Sequence, residues 1–221
     1  MASWWSGHDR TFPMTVLQAL AAYVVAAGLL TLTPGLDTAL ILRAAAVEGP
    51  KRAGLAAVGI ITGCLVWGAA VALGLGALLA ASKLAFTVLK WAGAAYLVWL
   101  GLTLILKPRS GFDLAAGAPS AEGDFAWMRR GLLTNLLNPK VGVFYISFLP
   151  QFLPAGVAPA PFIFLLAAIH AALGLAWSAC LIGATRPIAG ALKTAGVVRW
   201  LDRLTGGVFL GFGLRLALDR G

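Results

Sequence analysis

Long runs of apolar residues, separated by short polar segments, dominate the chain. A helix needs about 20 consecutive apolar residues to cross the hydrocarbon layer of a membrane. Five runs reach this length and a sixth comes close to it. The pattern therefore predicts an all-α integral membrane protein with six transmembrane helices, at 14–43, 53–81, 84–106, 131–152, 161–184 and 204–218.

The polar segments between these runs define the organisation of the chain. Residues 1–13 look unlike the rest and are predicted to be an N-terminal extension without structural weight. Residues 14–221 then form a single membrane domain. Its two halves, 14–106 and 131–221, hold three spans each, and the polar segment 107–130 between them is predicted to be a loop.

Composition agrees with a membrane protein and excludes other classes. The chain has 221 residues, of which 60% are hydrophobic and only 11% charged, whereas a soluble domain carries about 25% charge. This excludes an ordinary soluble enzyme. The net charge of +9 does not indicate binding to nucleic acid, because the basic residues lie in short clusters between the apolar runs.

The position of the basic residues predicts an orientation. Most Lys and Arg residues follow the first, third and fifth spans. Loops that are rich in Lys and Arg face the cytoplasm. The segment 107–130 is therefore predicted to be a cytoplasmic loop, with both termini on the non-cytoplasmic side.

Short matches between the two halves indicate an internal repeat. Gly-Leu-Leu-Thr occurs at 28–31 and at 131–134, and Gly-x-x-aromatic-Leu-x-aromatic occurs at 93–99 and at 206–212. Because each half has an odd number of spans, the second copy would cross the membrane in the opposite direction. A 3+3 inverted repeat is typical of secondary transporters, which bind substrate where the halves meet.

Proline interrupts the first and fourth spans. Pro34 lies nine residues before Arg43, and Pro139 lies nine residues after Arg130. At about 1.5 Å per residue, both prolines fall near the middle of the membrane. Proline breaks a helix, and freed backbone groups at this depth must line a cavity or be buried in protein. Helices one and four are therefore predicted to be broken at a binding site.

Polar residues gather at the same two breaks. Charges within a membrane pair with each other or face a wet pathway. We predict a site for a zwitterion, in which Asp37 holds an ammonium group or a proton in alternation, and Lys140 with a helix N-terminus holds a carboxylate. Three other interpretations stay open: Asp37 as a helix cap, Asn138 as a helix cap, and a structural ion pair between Asp37 and Lys140. The predicted substrate-binding residues are Pro34, Gly35, Asp37, Asn135, Asn138, Pro139 and Lys140.

Two further features have more than one interpretation. His170 in the fifth span is a candidate for proton coupling together with Asp37, because histidine titrates near neutral pH; hydrogen-bonded packing is the alternative. Gly-x-x-x-Gly motifs at 59–63 and 207–211 allow helices to approach closely, either within the chain or across a homodimer. Metal sites need clustered His, Cys or carboxylates, so neither a metal site nor a cofactor is predicted.

The residues around the breaks are similar to those of a known family. Leu-Thr-Pro-Gly-Leu-Asp at 32–37, Gly-Leu-x-x-Asn-Leu-x-Asn-Pro-Lys at 131–140 and Phe-Leu-Pro-Gln-Phe at 148–152 resemble the LysE/RhtB family of amino-acid exporters. The likeness extends from residue 14 to about residue 152. One position departs from it, since Leu36 stands where the family often has a second proline.

The resemblance implies an activity and a location. It implies an exporter in the bacterial inner membrane, driven by the proton motive force, whose partners are a small amino-acid-like solute, protons and the lipid bilayer. It does not name the solute or decide whether the chain forms a homodimer. The alternative is a cation or metal efflux permease of the same superfamily. An enzyme is not expected, because no nucleophile or metal cluster is visible in the spans.

Overall fold

The structure, a computed structural model, describes residues 14–81, 83–108 and 121–218. The predicted extension 1–13 and residues 109–120 of the predicted loop lie outside the described residues. Within the described ranges the chain forms helices and contains no strand. These helices are α1 (Val16–Leu32), α2 (Leu36–Arg43), α3 (Pro50–Ala81), α4 (Lys83–Leu106), α5 (Asp124–Leu136), α6 (Pro139–Phe148), α7 (Pro159–Gly183), α8 (Thr185–Lys193) and α9 (Ala195–Leu218).

The first and fourth predicted spans are both broken near their prolines. Pro34 lies between α1 and α2, and a π-helical turn, Ala44–Glu48, continues α2. Asn138 and Pro139 lie at the junction of α5 with α6, which is continued by a 3-10 turn. The two bends measure 54° and 52°. The prediction of two broken helices is confirmed, because a proline can neither donate the next helical hydrogen bond nor fit against the preceding turn.

The number of membrane crossings is tested only in part. By length and hydropathy, two helices could each cross a membrane alone, Pro50–Gly74 and Pro159–Gly183, and the two bent pairs raise the number to four if each pair is one crossing. The predicted spans 84–106 and 204–218 lie in α4 and α9, where the described residues give one shorter apolar helix, Trp91–Leu106. The all-helical fold is confirmed for the described residues, and six crossings in a 3+3 inverted repeat stay a prediction.

Two predicted boundaries are wrong. α9 begins at Ala195 rather than at residue 204, although Arg199 and Asp202 interrupt its apolar pattern. Asp202 is fully buried, so this part of the helix faces protein and tolerates a charged residue. α5 begins at Asp124, so the end of the segment 107–130 is helix rather than loop. An acidic residue in the first turn favours a helix start there, and burial of Trp127 against the rest of the protein anchors it.

Glycines allow α3 to lie close to its neighbours. α3 packs along α5 and along α7, and α4 packs along α9. A Cβ atom at Gly59 would overlap the Met128 carbonyl of α5, and a Cβ atom at Gly68 would overlap the Ala167 side chain of α7. The motif at 59–63 therefore serves packing within the chain. The motif at 207–211 differs, because both of its glycines are exposed and have no neighbouring atom within 4 Å of an added Cβ.

Buried apolar residues form two clusters along the helices. The larger one, here called the phenylalanine cluster, combines residues of α1, α3, α4, α6, α7 and α9, and its rings contact one another at 4.6–6.3 Å between centroids. Its aromatic members include Tyr23, Phe144, Tyr145, Phe148, Phe152, Phe162 and Phe209. The smaller one, here called the Trp127 cluster, contains Ile41, Leu42, Ala44, Ala53, Ala56, Ala57, Ile60, Trp127, Leu181 and Leu192.

Candidate functional site

A cavity of about 70 Å³ lies beside both helix breaks. Its walls come from α1, α2, α3, α6 and α7, and they include members of both apolar clusters. A single water molecule needs roughly 10–15 Å³ of such space, so the cavity has room for a few water molecules or a small solute. Five of the residues predicted to form the site line it, namely Gly35, Asp37, Asn138, Lys140 and His170.

The Asp37 carboxyl group links the two broken helices. It lies in the first turn of α2, and its Oδ2 atom accepts a hydrogen bond of 2.9 Å from Nδ2 of Asn135, a fully buried residue of α5. Its other oxygen, Oδ1, is buried and has no hydrogen-bond partner among the described residues. A buried acceptor without a donor costs about 1–3 kcal/mol. The carboxyl group can therefore accept one further hydrogen bond, for example from an ammonium group, or it can bind a proton.

Asn135 needs a small neighbour on α3. A Cβ atom at Gly63 would lie only 2.6 Å from Oδ1 of Asn135. The Asn135 amide also reaches Sγ of Cys64 at 3.5 Å. Asn135 is thus fixed between α2 and α3, outside the wall of the cavity, and it positions Asp37 rather than facing the solute.

The Lys140 ammonium group lies between the end of α1 and the start of α2. Its Nζ atom donates hydrogen bonds to the carbonyl oxygens of Thr33, at 3.1 Å, and Leu30, at 3.5 Å. The last carbonyl groups of a helix have no intrahelical partner, so Lys140 satisfies the end of α1. The same Nζ atom lies 3.7 Å from where a Cβ atom at Gly35 would be. The positive charge of α6 is therefore held between the end of α1 and the start of α2.

The starts of α2 and α6, the helices that follow the two breaks, are capped differently. The Asn138 side chain accepts a hydrogen bond of 3.1 Å from the backbone nitrogen of Lys140 and caps α6, which confirms its interpretation as a helix cap. The cap position of α2 is Gly35, and no side chain bonds to its backbone donors. Asp37 lies two residues further on, so its interpretation as the cap is wrong. The start of α2 presents backbone N–H groups and a partial positive charge beside the cavity.

His170 reaches the cavity from α7 and is hydrogen-bonded at its back. Its Nδ1 atom lies 3.0 Å from the hydroxyl group of Tyr145, and both residues are buried. The Tyr145 hydroxyl group also interacts with the Cys64 thiol. Polar contacts thus lead from Asp37 through Asn135, Cys64 and Tyr145 to His170. The bond to Tyr145 agrees with the interpretation that His170 serves packing. His170 also lines the cavity, and its role in proton coupling stays a prediction.

A threonine pair joins the first break to α9. The hydroxyl groups of Thr33 and Thr205 form a hydrogen bond, and both residues are almost fully buried. Thr33 also supplies the carbonyl group that binds Lys140. Sequence reasoning missed this contact, because threonine is common in membrane helices and its partner lies 172 positions away.

The remaining site predictions have different outcomes. Pro34 is buried at the first break, and Pro139 begins α6 at the second. Within the described ranges, no three His, Cys, Asp or Glu side chains come together to hold a metal ion. Sequence reasoning did not identify much of the cavity wall, notably Thr38, Ile41, Ile60, Ile61, Gly174, Trp177, Ser178 and Leu181.

Comparison with known proteins gives relatives over most of the chain. It is 29% identical to an uncharacterized membrane protein of Bacillus subtilis over 92% of its own length and all of that protein. It is 32% identical to the leucine efflux protein of Klebsiella pneumoniae over 88% of the chain and 92% of that protein. It is 28% identical to the threonine efflux protein of Salmonella typhi over 86% and 92%. No solved structure gives a significant match.

One protein-family model also matches the chain. It is described as the LysE type translocator, and it matches residues 29–220, a range that includes both helix breaks and the whole cavity wall. The chain therefore belongs to the LysE type translocator family.

Proposed function

We propose that the chain is a secondary transporter that exports amino acids or similar small zwitterions across the bacterial inner membrane. The observation that carries this proposal is the cavity in which Asp37 and Lys140, brought together by two broken helices, face the same small space. A zwitterion needs one site of each charge, and broken helices beside a cavity are typical of transporter binding sites. Family membership and efflux relatives support it.

Each end of the zwitterion has a matching group. The substrate carboxylate binds at the start of α2, where uncapped N–H groups and the Lys140 ammonium group offer hydrogen bonds and positive charge. The substrate ammonium group binds to Asp37, whose Oδ1 atom has no other donor among the described residues. Pro34 and Pro139 set the breaks, and Asn135 and Asn138 hold Asp37 and the start of α6 in place.

Proton influx drives the export in this proposal. Asp37 holds either the substrate ammonium group or a proton, and His170 takes part in bringing the proton to or from the cavity. One cycle then moves a zwitterion without net charge outward and one proton inward. Both a pH gradient and an inside-negative potential therefore accelerate export.

Six crossings arranged as an inverted repeat fit this mechanism. If the spans are numbered from one to six, span two packs on spans four and five, and span three packs on span six. In an inverted repeat, span one corresponds to span four and span two corresponds to span five. The contact between spans two and four should therefore be matched by a contact between spans five and one, and α7 of span five does pack on α1 of span one. The similar bends of 54° and 52° agree with such a symmetry. Both termini lie on the non-cytoplasmic side in this arrangement.

Proteoliposomes that contain the purified full chain test the proposal. We expect efflux of a preloaded amino acid to be faster when the outside is acidic, and faster again with an inside-negative potential. Asp37→Asn should lose the acceleration by the pH gradient. Asp124→Asn serves as the matched control, because Asp124 pairs with Lys51 and Arg52 away from the cavity.

Two results would contradict the proposal. One is an absence of amino-acid efflux from wild-type vesicles, and the other is unchanged acceleration by the pH gradient in the Asp37→Asn variant. Vesicles loaded with a divalent cation test the alternative of a metal efflux permease, which predicts cation efflux instead.

A further inference from the structure

Helix α2 and the π-helical turn that continues it form one short segment, residues 36–48, here called the α2 arm. At its start, Pro34 and Gly35 separate the arm from α1. At its end, Gly49 separates it from α3 and has a φ angle of 90°. Glycine adopts such a conformation readily, and π-helical turns are rare and occur mostly at functional sites. The arm is therefore joined to the rest of the chain by an irregular segment at each end.

The α2 arm forms part of the cavity wall. Thr38 and Ile41 of the arm line the cavity. Ile41 belongs to the Trp127 cluster together with Ile60 of α3 and Leu181 of α7, which also line the cavity. The basic residues that follow the arm place its end on the predicted cytoplasmic side. In this orientation the arm is part of the wall that closes the cavity toward the cytoplasm.

The arm has fewer contacts to lose than the helices behind it. Helices α3 and α5 pack backbone to backbone, because a Cβ atom at Gly59 or at Gly131 would overlap backbone atoms of the other helix. The buried residues of α2, by contrast, are Thr38, Ile41 and Leu42. Movement of the arm away from α3 and α5 uncovers these side chains and leaves the packing between the two longer helices intact.

A buried ion pair fixes the end of the arm. Oε2 of Glu48 lies 2.6 Å from Nη1 of Arg52 in α3, and the Glu48 side chain is 1% exposed. Nε of Arg52 lies 3.3 Å from Oδ1 of Asp124 in α5, whose side chain is 41% exposed. Separation of a buried pair leaves a charge without hydration or partner, whereas exposed pairs contribute little. The pair of Glu48 and Arg52 is therefore the stronger of the two links.

We propose that the α2 arm is the cytoplasmic gate of the cavity and that the ion pair of Glu48 with Arg52 holds this gate closed. The inference rests on the proposed function, in which an amino acid enters the cavity from the cytoplasm before export. Asp37, bonded to Asn135 of α5, lies at the other end of the same arm. Binding at Asp37 and opening of the gate therefore act on one segment. Glu48 is a positioning residue, because it contacts Arg52 rather than the solute.

The thiol of Cys64 reports the opening of this gate, because it is buried and lines the cavity. In a Cys180→Ala background it is the single thiol of the chain. The probe is sulfonatoethyl methanethiosulfonate, a small anion that does not cross membranes. Inside-out membrane vesicles present the cytoplasmic face to it, and right-side-out vesicles present the other face. The measurement is the rate of Cys64 modification in each.

Removal of the charge of Glu48 should open the gate more often. Glu48→Gln keeps the size of the side chain and weakens its bond to Arg52. Hydrogen bonds to charged groups are strong enough to change an equilibrium by about tenfold. We therefore expect modification of Cys64 to be about tenfold faster than in the wild type in inside-out vesicles. The rate in right-side-out vesicles should be unchanged.

Asp124→Asn is the matched control. It removes a carboxylate that holds the same arginine, but it leaves Glu48 bonded to Arg52, so Cys64 should react at the wild-type rate. Arg52→Gln removes the other partner of the pair and should accelerate the reaction as Glu48→Gln does. The double variant should be no faster than either single variant, because all three lose the same bond.

Three results would overturn the inference. One is an equal rate for Glu48→Gln and the wild type in inside-out vesicles. The others are an increase that is the same in both kinds of vesicle, which indicates general loosening, and an increase confined to right-side-out vesicles. If Glu48→Gln does not fold, Arg52→Gln decides the question by the same comparison. Labelling requires no transport, so wild-type vesicles that export no amino acid would contradict the proposed function, while the labelling rates still decide whether the arm opens.

Discussion

The ammonium group of Lys140 donates a hydrogen bond of 3.1 Å to the backbone carbonyl of Thr33. The donor belongs to the second bent helix pair and the acceptor to the break in the first, so this bond joins the two interrupted spans directly. The hydroxyl group of Thr33 is held in turn by Thr205 of α9. Movement of either break therefore strains a contact that extends across three helices.

Replacement of Lys140 tests the role of this charge. Lys140→Met keeps an unbranched side chain but removes the donor to Thr33 and the positive charge beside α2. Hydrogen bonds to charged groups contribute about 1.5–3 kcal/mol, and a factor of ten corresponds to about 1.4 kcal/mol. We therefore expect the half-saturating concentration for export to rise by about 10- to 100-fold. Initial rates in proteoliposomes over a range of internal amino-acid concentrations measure it.

The control for this experiment is another lysine outside the cavity. Lys51→Met removes an exposed ammonium group that pairs with Asp124 at 2.5 Å. Exposed pairs contribute about 0–1 kcal/mol, so this variant should keep the half-saturating concentration of the wild type. Equal values for Lys140→Met and the wild type would show that Lys140 does not bind the solute.

The His170 and Tyr145 pair predicts how export depends on pH. His170→Gln keeps an oxygen that can accept a hydrogen bond from the Tyr145 hydroxyl group, but it removes the imidazole that is proposed to carry the proton. We expect the rate of export to vary less with pH than in the wild type. The measurement is the initial rate at a fixed pH gradient while both sides are shifted together.

A second tyrosine gives the comparison for this pair. Tyr145→Phe removes the hydroxyl group that lies 3.0 Å from His170, and it should also alter the pH profile. Tyr96→Phe changes a tyrosine whose ring lies against Trp99 on α4, and it should not. If His170→Gln and the wild type have the same profile, His170 serves packing alone.

Helix contacts at glycine predict a loss of stability. A Cβ atom at Gly59 would overlap the Met128 carbonyl, so Gly59→Ala pushes α3 and α5 apart. Overpacking of this kind costs about 1–3 kcal/mol. We expect a lower midpoint of thermal unfolding in detergent. Gly54→Ala on the same helix adds a methyl group where no atom lies within 4 Å, and it should leave the midpoint unchanged or raise it, because alanine favours a helix. An unchanged midpoint in Gly59→Ala would mean that the helices are less closely packed.

Cysteine labelling tests the predicted orientation. In a background with Cys64→Ala and Cys180→Ala, Lys51→Cys should react with a membrane-impermeant maleimide only after the cells are opened, because the basic start of α3 that contains it is predicted to face the cytoplasm. Ala155→Cys, at an exposed position between α6 and α7, should react in intact cells. The reverse pattern would invert the orientation.

The helix breaks could be predicted from the sequence because their cause is local. Pro34 and Pro139 cannot donate a helical hydrogen bond in any surroundings, and the apolar runs around them extend over enough residues to identify helices. The polar residues next to the prolines could be assigned to one site for the same reason. Asn138 follows this rule, since its capping bond is formed within two residues.

Features that depend on distant partners could not be predicted. The start of α9 could not be predicted from the apolar pattern, because Arg199 and Asp202 interrupt it and the burial of Asp202 depends on surrounding helices. Ile41, Ile60 and Leu181 could not be distinguished from lipid-facing residues, because periodicity in a membrane helix does not show which face meets a cavity. The pair of Thr33 and Thr205 depends on the packing of α9 against α1, which no local pattern encodes.

The starts of α2 and α6 are capped differently, and this difference makes the two sides of the candidate site unlike. If both helix starts were uncapped, the carboxylate group of a zwitterion could bind at either of them. The Asn138 side chain caps the start of α6, whereas Gly35 has no side chain to cap the start of α2. In the proposed transporter, a zwitterion can therefore bind in one orientation only, with its carboxylate group at the start of α2.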